Sequence, residues 1–148
     1  MIKFACGAIC LLATIGLTAQ IIPNYQTNID TAKNLAQTEN RSILMVFAGS
    51  DWCRPCIQFK KDILESAAFQ LYAKENLVIL YLDFPARRKN QLPDEQRKHN
   101  EALAEQFNKS GRFPNILLLS PQGEVLSPLT FSNQSPTDFI AEITRQGT

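Results

Sequence analysis

The stretch GSDWCRPC, Gly49–Cys56, sets two cysteines three positions apart, with a tryptophan before the first and a proline between them. It follows a compact apolar run, ILMVF (Ile43–Phe47). A run this short reads as a strand buried on both faces, hence a central strand with parallel neighbours. At Cys53 the pattern changes to that of a helix through CIQFKKDILESAAFQLYAK, with Ile57, Leu64, Ala67, Ala68 and Leu71 on its apolar stripe. Cys53 therefore falls at a strand-to-helix junction.

Outward from this junction, NIDTAKNLAQTE carries Asp30 as a helix cap and a helix over Thr31–Glu39. LVILYLDF (Leu77–Phe84) and NILLLS (Asn115–Ser120) are further apolar strands. Between them, the connection from Pro85 leads to Pro93, which opens a helix running to a stop at Gly111. PQGEV turns the chain into a short strand at Val125–Leu129, forming an antiparallel hairpin, and Ser135 with Pro136 starts a last helix bearing Phe139, Ile140 and Ile143. This order predicts an α/β fold with a central mixed sheet, a parallel core, a C-terminal antiparallel hairpin and helices on both faces.

The chain has 148 residues and 45% hydrophobic content, enough for one domain with a sizeable core. Residues 1–19 stand apart: Lys3, an apolar run and Ala19 before Gln20 have the layout of a cleaved secretory signal, too short for a comfortable membrane span. The folded domain is then residues 20–148, exported and without a permanent membrane anchor. Lipid attachment at Cys6 or Cys10 is disfavoured, because bulky Ile9 precedes Cys10 and almost no apolar run precedes Cys6. Without the leader, Cys53 and Cys56 are the remaining cysteines, and 14 basic residues balance 14 acidic ones. That neutrality argues against nucleic acid or anionic lipid as the main partner. The clusters ARRKN (Ala86–Asn90) and Arg97-Lys98 read as a solvated loop and a helix start rather than a docking patch.

At a helix start, the Cys53 sulfur lies near unpaired backbone N–H groups and the positive end of the helix dipole, both of which favour thiolate. Cys56, on the same helix face, is within bridging distance. Such a pair suits exchange: Cys53 attacks a partner disulfide and Cys56 resolves the mixed disulfide. Arg54 adds positive charge, and Pro55 is tolerated in the first turn. Three other readings are weaker. A structural metal site lacks ligands, since only His99 accompanies the cysteines, so no metal and no cofactor is expected. A purely structural bridge over so short a loop stabilises little, and buried fillers are at odds with polar Arg54 and Gln58. His99, in a charged helix start, reads as solvated or capping rather than as an acid/base.

WCRPC resembles the W-C-G-P-C motif of the thioredoxin-like superfamily, with Arg54 in place of glycine, and the resemblance runs from about Ile43 to Leu129. RFPNILLL adds a second likeness, placing Pro114 where that superfamily opens its third core strand with a cis proline facing the cysteines. The resemblance implies that Phe113 and Pro114 form a client-facing wall and Trp52 an aromatic rim, with Arg54 and Pro55 supporting the cysteines. It also implies a thiol-disulfide oxidoreductase of the bacterial periplasm, leaning reductase or isomerase. Its partners are then protein or peptide thiols and disulfides, with an electron donor or acceptor for which a membrane thiol-redox protein is a candidate. The competing class is a binding module with an idle disulfide.

Three residues depart from the pattern. The strand ILMVF lacks the buried aspartate found behind the thioredoxin cysteines, leaving water, Asp51 or another group to take the Cys56 proton. Lys61 replaces a helix-kinking proline, which predicts a straighter helix, and Phe113 replaces an aliphatic residue.

Overall fold

The computed structural model describes residues 24–147; the leader read at residues 1–19 lies outside them. Strands β1 (Ser42–Ala48), β2 (Leu77–Asp83), β3 (Asn115–Leu119) and β4 (Val125–Leu129) form one sheet in the order β2-β1-β3-β4. β1 and β2 are parallel, and Gln26 extends this parallel part by a bridge to Leu80. β3 runs antiparallel to both β1 and β4.

The expected parallel neighbours of Ile43–Phe47 are thus corrected to one parallel and one antiparallel. An all-apolar run reports burial on two faces, not the direction of its neighbours. Ala48 pairs with Asp83 and Phe47 with Asn115, so β2 ends and β3 begins at the same end of β1. The chain between them returns to the end it left, and β3 must run back.

Strand alternation sends Leu44, Val46 and Ala48 to one face and Ile43, Met45 and Phe47 to the other. The first face packs on α2 (Arg54–Phe59), α3 (Ala67–Asn76) and α5 (Pro136–Gln146), through Phe59, Phe69, Phe139 and Ile143. The second packs on α1 (Ile29–Glu39) and α4 (Asp94–Phe107), through Ala32, Ala36 and Leu103. Both cysteines belong to the first core.

Several helix boundaries differ from expectation. Asn28, not Asp30, caps α1: its backbone is extended and its side chain accepts the Asp30 and Thr31 N–H groups, leaving Asp30 in the first turn, where its charge suits the helix dipole. α4 stops at Phe107, short of Gly111, because Asn108 leaves helical geometry and exchanges hydrogen bonds with the Arg112 backbone.

The largest correction concerns the segment after Cys56. Instead of one straight helix, α2 passes into a π-helical turn at Lys60–Leu64, and α3 starts afresh with Ser66 as its cap. The extra residue in the π turn and the break at Ser66 each shift the helical phase. The predicted stripe therefore fails: Ile57 and Leu71 are exposed, as are Ala67 and Ala68, whereas Phe59, Ile63, Phe69 and Ala73 are buried beside Leu64. Lys61 lies inside this irregular turn, so losing proline there does not give a regular helix.

Candidate active site

The Cys53–Cys56 pair is bridged, with S–S 2.08 Å and Cα–Cα 5.3 Å. Cys53 is the N-cap of α2 and Pro55 lies in its first turn, as the strand-to-helix reading requires. The Cys53 sulfur accepts the Cys56 N–H at 3.3 Å, and the Cys53 N–H is held by the Gly49 carbonyl at 3.0 Å. Both cysteines are nearly covered: Cys53 retains 5% of its surface and Cys56 1%, so Cys53 is the more approachable.

Three loops meet around this pair. The first is Gly49–Cys53 itself. The second follows β2, where the Phe84 carbonyl accepts Trp52 Nε1–H at 2.7 Å. The third precedes β3: the Phe113–Pro114 bond is cis, and the half-buried Phe113 packs against the core that holds both cysteines. The Phe113 ring lies 5.2 Å from that of Trp52 and 5.4 Å from that of Phe84, both edge-on. Trp52 is half exposed, and Arg54 and Pro55 are exposed. The structure thus sets Phe113, joined to Pro114 by the cis bond, against Trp52 and the core of Cys53 and Cys56, with Arg54 and Pro55 following Cys53 in the first turn of α2.

Two neighbours went unnoticed in the sequence. Phe84 reads there only as the last residue of an apolar strand. Gly49 reads as loop, yet a Cβ built on it would lie 2.3 Å from Cε2 of Trp52, so glycine is what lets the indole settle there. The small residue three positions before a motif tryptophan was the available signal.

Asp51 is occupied elsewhere. Its carboxylate accepts the Ala86 N–H at 2.8 Å, the Arg87 N–H at 3.0 Å and Asn90 Nδ2 at 2.8 Å. Desolvation pushes its pKa up, but these bonds and the Arg87 charge outweigh that and hold it below the ordinary 3.8. Asp83 is engaged as well, accepting the Ser50 N–H at 2.9 Å and Ser50 Oγ at 2.6 Å. Among the described residues no aspartate or glutamate is buried, and Cys56 shares its apolar core with Val46, Ala48 and Tyr81. Desolvation raises the pKa of Tyr81, and burial raises Tyr25, stacked on it, to about 12, so both stay neutral near pH 7. His99 takes a capping place away from the cysteines. Its Nε2 accepts the Ile29 N–H at 3.2 Å, at the start of α1.

Among the described residues no helix is long and apolar enough to cross a membrane. Comparison with known proteins places the arrangement. Residues 24–121 match the sequence model of a family described as Thioredoxin-like. The chain is 31% identical over 108 residues to "Disulfide bond reductase DsbH" of Chlamydia pneumoniae, covering 73% of this chain and 63% of that protein. It is 30% identical over 98 residues to "Thioredoxin-related protein DsbJ" of the same organism, covering 66% of this chain and 27% of the other. The chain thus spans less than two thirds of either relative. A solved structure titled "DsbH Oxidoreductase" superimposes with TM-score 0.77 at 26% identity, covering 95% of this chain and 94% of that one. A Thermus thermophilus thioredoxin shares the fold, with TM-score 0.60 at 17% identity over 82% of this chain and 84% of its own. With its bridged WCRPC, its cis Phe113–Pro114 bond and this match over most of its length, the chain belongs to the thioredoxin-like family.

Proposed function

We propose that the protein is an exported thiol-disulfide oxidoreductase that reduces client disulfides, with Cys53 as nucleophile and Cys56 as resolving thiol. The observation that carries this reading is the cysteine pair itself, bridged at a helix start, with Cys53 the less covered partner and its sulfur facing the Cys56 N–H. In the reduced protein that N–H and the neighbouring first-turn donors favour a Cys53 thiolate. The thiolate attacks one sulfur of a client disulfide, and a client thiolate leaves. Cys56 then attacks the Cys53 sulfur, releasing the second client thiol and restoring the Cys53–Cys56 bridge. Two electrons pass to the client; the protons given up by Cys53 and Cys56 go to solvent, and the departing client thiolates take theirs from solvent.

With Asp51 and Asp83 engaged and the two buried tyrosines neutral, water is the acceptor for the Cys56 proton. Trp52, Phe113 and Pro114 form the wall on which the client segment lies, with Arg54 and Pro55 at its foot. Similarity to the C. pneumoniae protein named as a disulfide bond reductase supports reduction over isomerisation. The leader at Met1–Ala19 supports export, with residues 20–148 as the mature domain and the periplasm as its compartment. A regenerating electron donor there follows from the chemistry, since every turnover leaves the protein oxidised.

The test is the reduction potential, measured in thiol redox buffers by Trp52 fluorescence with thiol state confirmed by mass. A reversible two-electron couple between about −270 and −200 mV supports a reductase, and a value near about −120 mV an oxidant. A bridge that resists those buffers, well below about −300 mV, overturns the reading in favour of a binding module with an idle disulfide.

A further inference from the structure

The loop Ala86–Asn90 looks like ordinary solvated surface in the sequence, but Asp51 ties it to the cysteine loop. The Asp51 carboxylate holds the backbone of Ala86 and Arg87 and the side chain of Asn90, one residue before Trp52. Arg87, Arg88 and Lys89 are therefore anchored beside the aromatic rim, and all three are exposed. Two more exposed cations flank the same mouth from the other loops. Arg54 directly follows Cys53, and Arg112 directly precedes Phe113, whose ring is 5.2 Å from that of Trp52.

None of these five side chains belongs to an ion pair among the described residues; the pairs found there involve Arg41, Lys60 and Arg97. Arg87 is near enough to Asp51 to help lower its pKa. The carboxylates at this mouth, Asp51 and Asp83, are turned to backbone and Ser50 donors. Asp94 and Glu95, at the start of α4, are the exposed acids that follow the loop, Asp94 paired with Arg97, and Asp62 of the π turn lines one pocket with Arg54 and Lys61. Hydrogen bonds from neutral donors leave Asp51 and Asp83 charged, but five exposed cations outnumber them, so a chain with nearly balanced charge carries a net positive excess around its disulfide. A mouth lined by one sign of charge attracts the opposite sign and accelerates its capture.

Resting on the exchange reading above, we infer that this cationic mouth selects client polypeptides whose reactive disulfide is flanked by aspartate or glutamate. The occupant is an extended segment laid across Trp52 and Phe113, its acidic side chains reaching Arg87, Arg88 and Lys89 on one side and Arg112 on the other. The chemistry is the two-step exchange already written, and the cations alter its capture step.

The test uses the purified protein, reduced and freed of reductant, mixed with three peptides that carry the same internal disulfide flanked by Glu, by Gln or by Lys. Rates are read from Trp52 emission at about 0.01 M and about 1 M salt, where screening lengths are about 30 Å and about 3 Å. The Glu peptide is expected to react at least about tenfold faster than the Lys peptide at low salt, with the ratio collapsing at high salt. Replacing Arg87, Arg88 and Lys89 together by Gln should shrink the low-salt ratio severalfold. Equal rates for the Glu and Lys peptides, or the reverse order, with the Gln peptide still reacting, would overturn the inference and leave the exchange reading standing. Failure to react with the Gln peptide and with a small uncharged disulfide would instead overturn the exchange reading. The salt dependence of the unaltered protein decides the matter even if the triple variant does not fold.

Discussion

Trp52 rests against Gly49: a methyl group added to that glycine would meet the indole at 2.3 Å from Cε2, 2.5 Å from Nε1 and 2.6 Å from Cζ2. The indole also donates to the Phe84 carbonyl and meets the Phe113 ring edge-on. Gly49→Ala therefore cannot keep the ring where it is. The variant should lose about 1 to 3 kcal/mol of stability from overpacking. Trp52 is the sole tryptophan, so its emission should move to longer wavelength as the ring is pushed toward water. Denaturant unfolding and an emission spectrum check both, and an unshifted spectrum would show that the ring does not depend on the missing Cβ.

Asp51 supplies a pH-dependent tie between the cysteine loop and Ala86–Asn90. Its folded pKa is depressed, so the tie is fully present above the unfolded value, about 3.9, and is lost as pH falls through the folded value. The amide resonances of Ala86 and Arg87 should titrate together, with a midpoint below about 3.9. In Asp51→Asn the low-pH transition should vanish, and amide exchange at both positions should quicken because the acceptor is no longer charged. A midpoint at or above the ordinary aspartate value would contradict the hydrogen-bonded arrangement.

Strands, hairpin and cysteine pair were legible because each rests on a local signal. β1, β2 and β3 are apolar runs too short for helices, β4 follows a Pro-Gln-Gly turn, and α5 opens with Ser135 and Pro136. What escaped depends on contacts that local periodicity does not encode. The π turn at Lys60–Leu64 inserts a residue without any glycine or proline to mark it, so a stripe counted from Cys53 loses its phase by Leu71. Strand direction depended on which end of the sheet the chain re-enters, and an apolar run is silent on that. At the site, the residue types of WCRPC announced the sulfur chemistry. The roles of Gly49 and Phe84 became visible only once the indole had a position, since a backbone carbonyl accepts equally well from any residue type.

The match to the family covers residues 24–121, yet Phe139 lies beyond it, fully buried with its ring 5.2 Å from Phe59 and 6.2 Å from Phe69. Phe59 belongs to the helix that Cys53 caps, so α5 braces the element that carries the cysteines. Phe139→Ala should cost about 3 to 5 kcal/mol through lost burial and a residual cavity. Unfolding followed by Trp52 fluorescence and by circular dichroism should shift together, as expected of one cooperative unit. Separate transitions would mean that α5 folds independently of the site.

The unequal cover of the two cysteines gives the order of attack a direct test. Cys53 keeps 5% of its surface and Cys56 1%, so a client sulfur meets Cys53 first, and Cys56, bridged to it, is placed to attack Cys53. Cys53→Ser should therefore reduce insulin no faster than the uncatalysed background and form no covalent adduct with clients. Cys56→Ser should still attack, since the remaining thiolate keeps its backbone N–H neighbour, but its mixed disulfides should persist for lack of a resolving thiol. Non-reducing gels and mass spectra of each variant after mixing with an oxidised client distinguish the cases. Adducts on Cys53→Ser but not on Cys56→Ser would reverse the assignment, making the more buried sulfur the nucleophile.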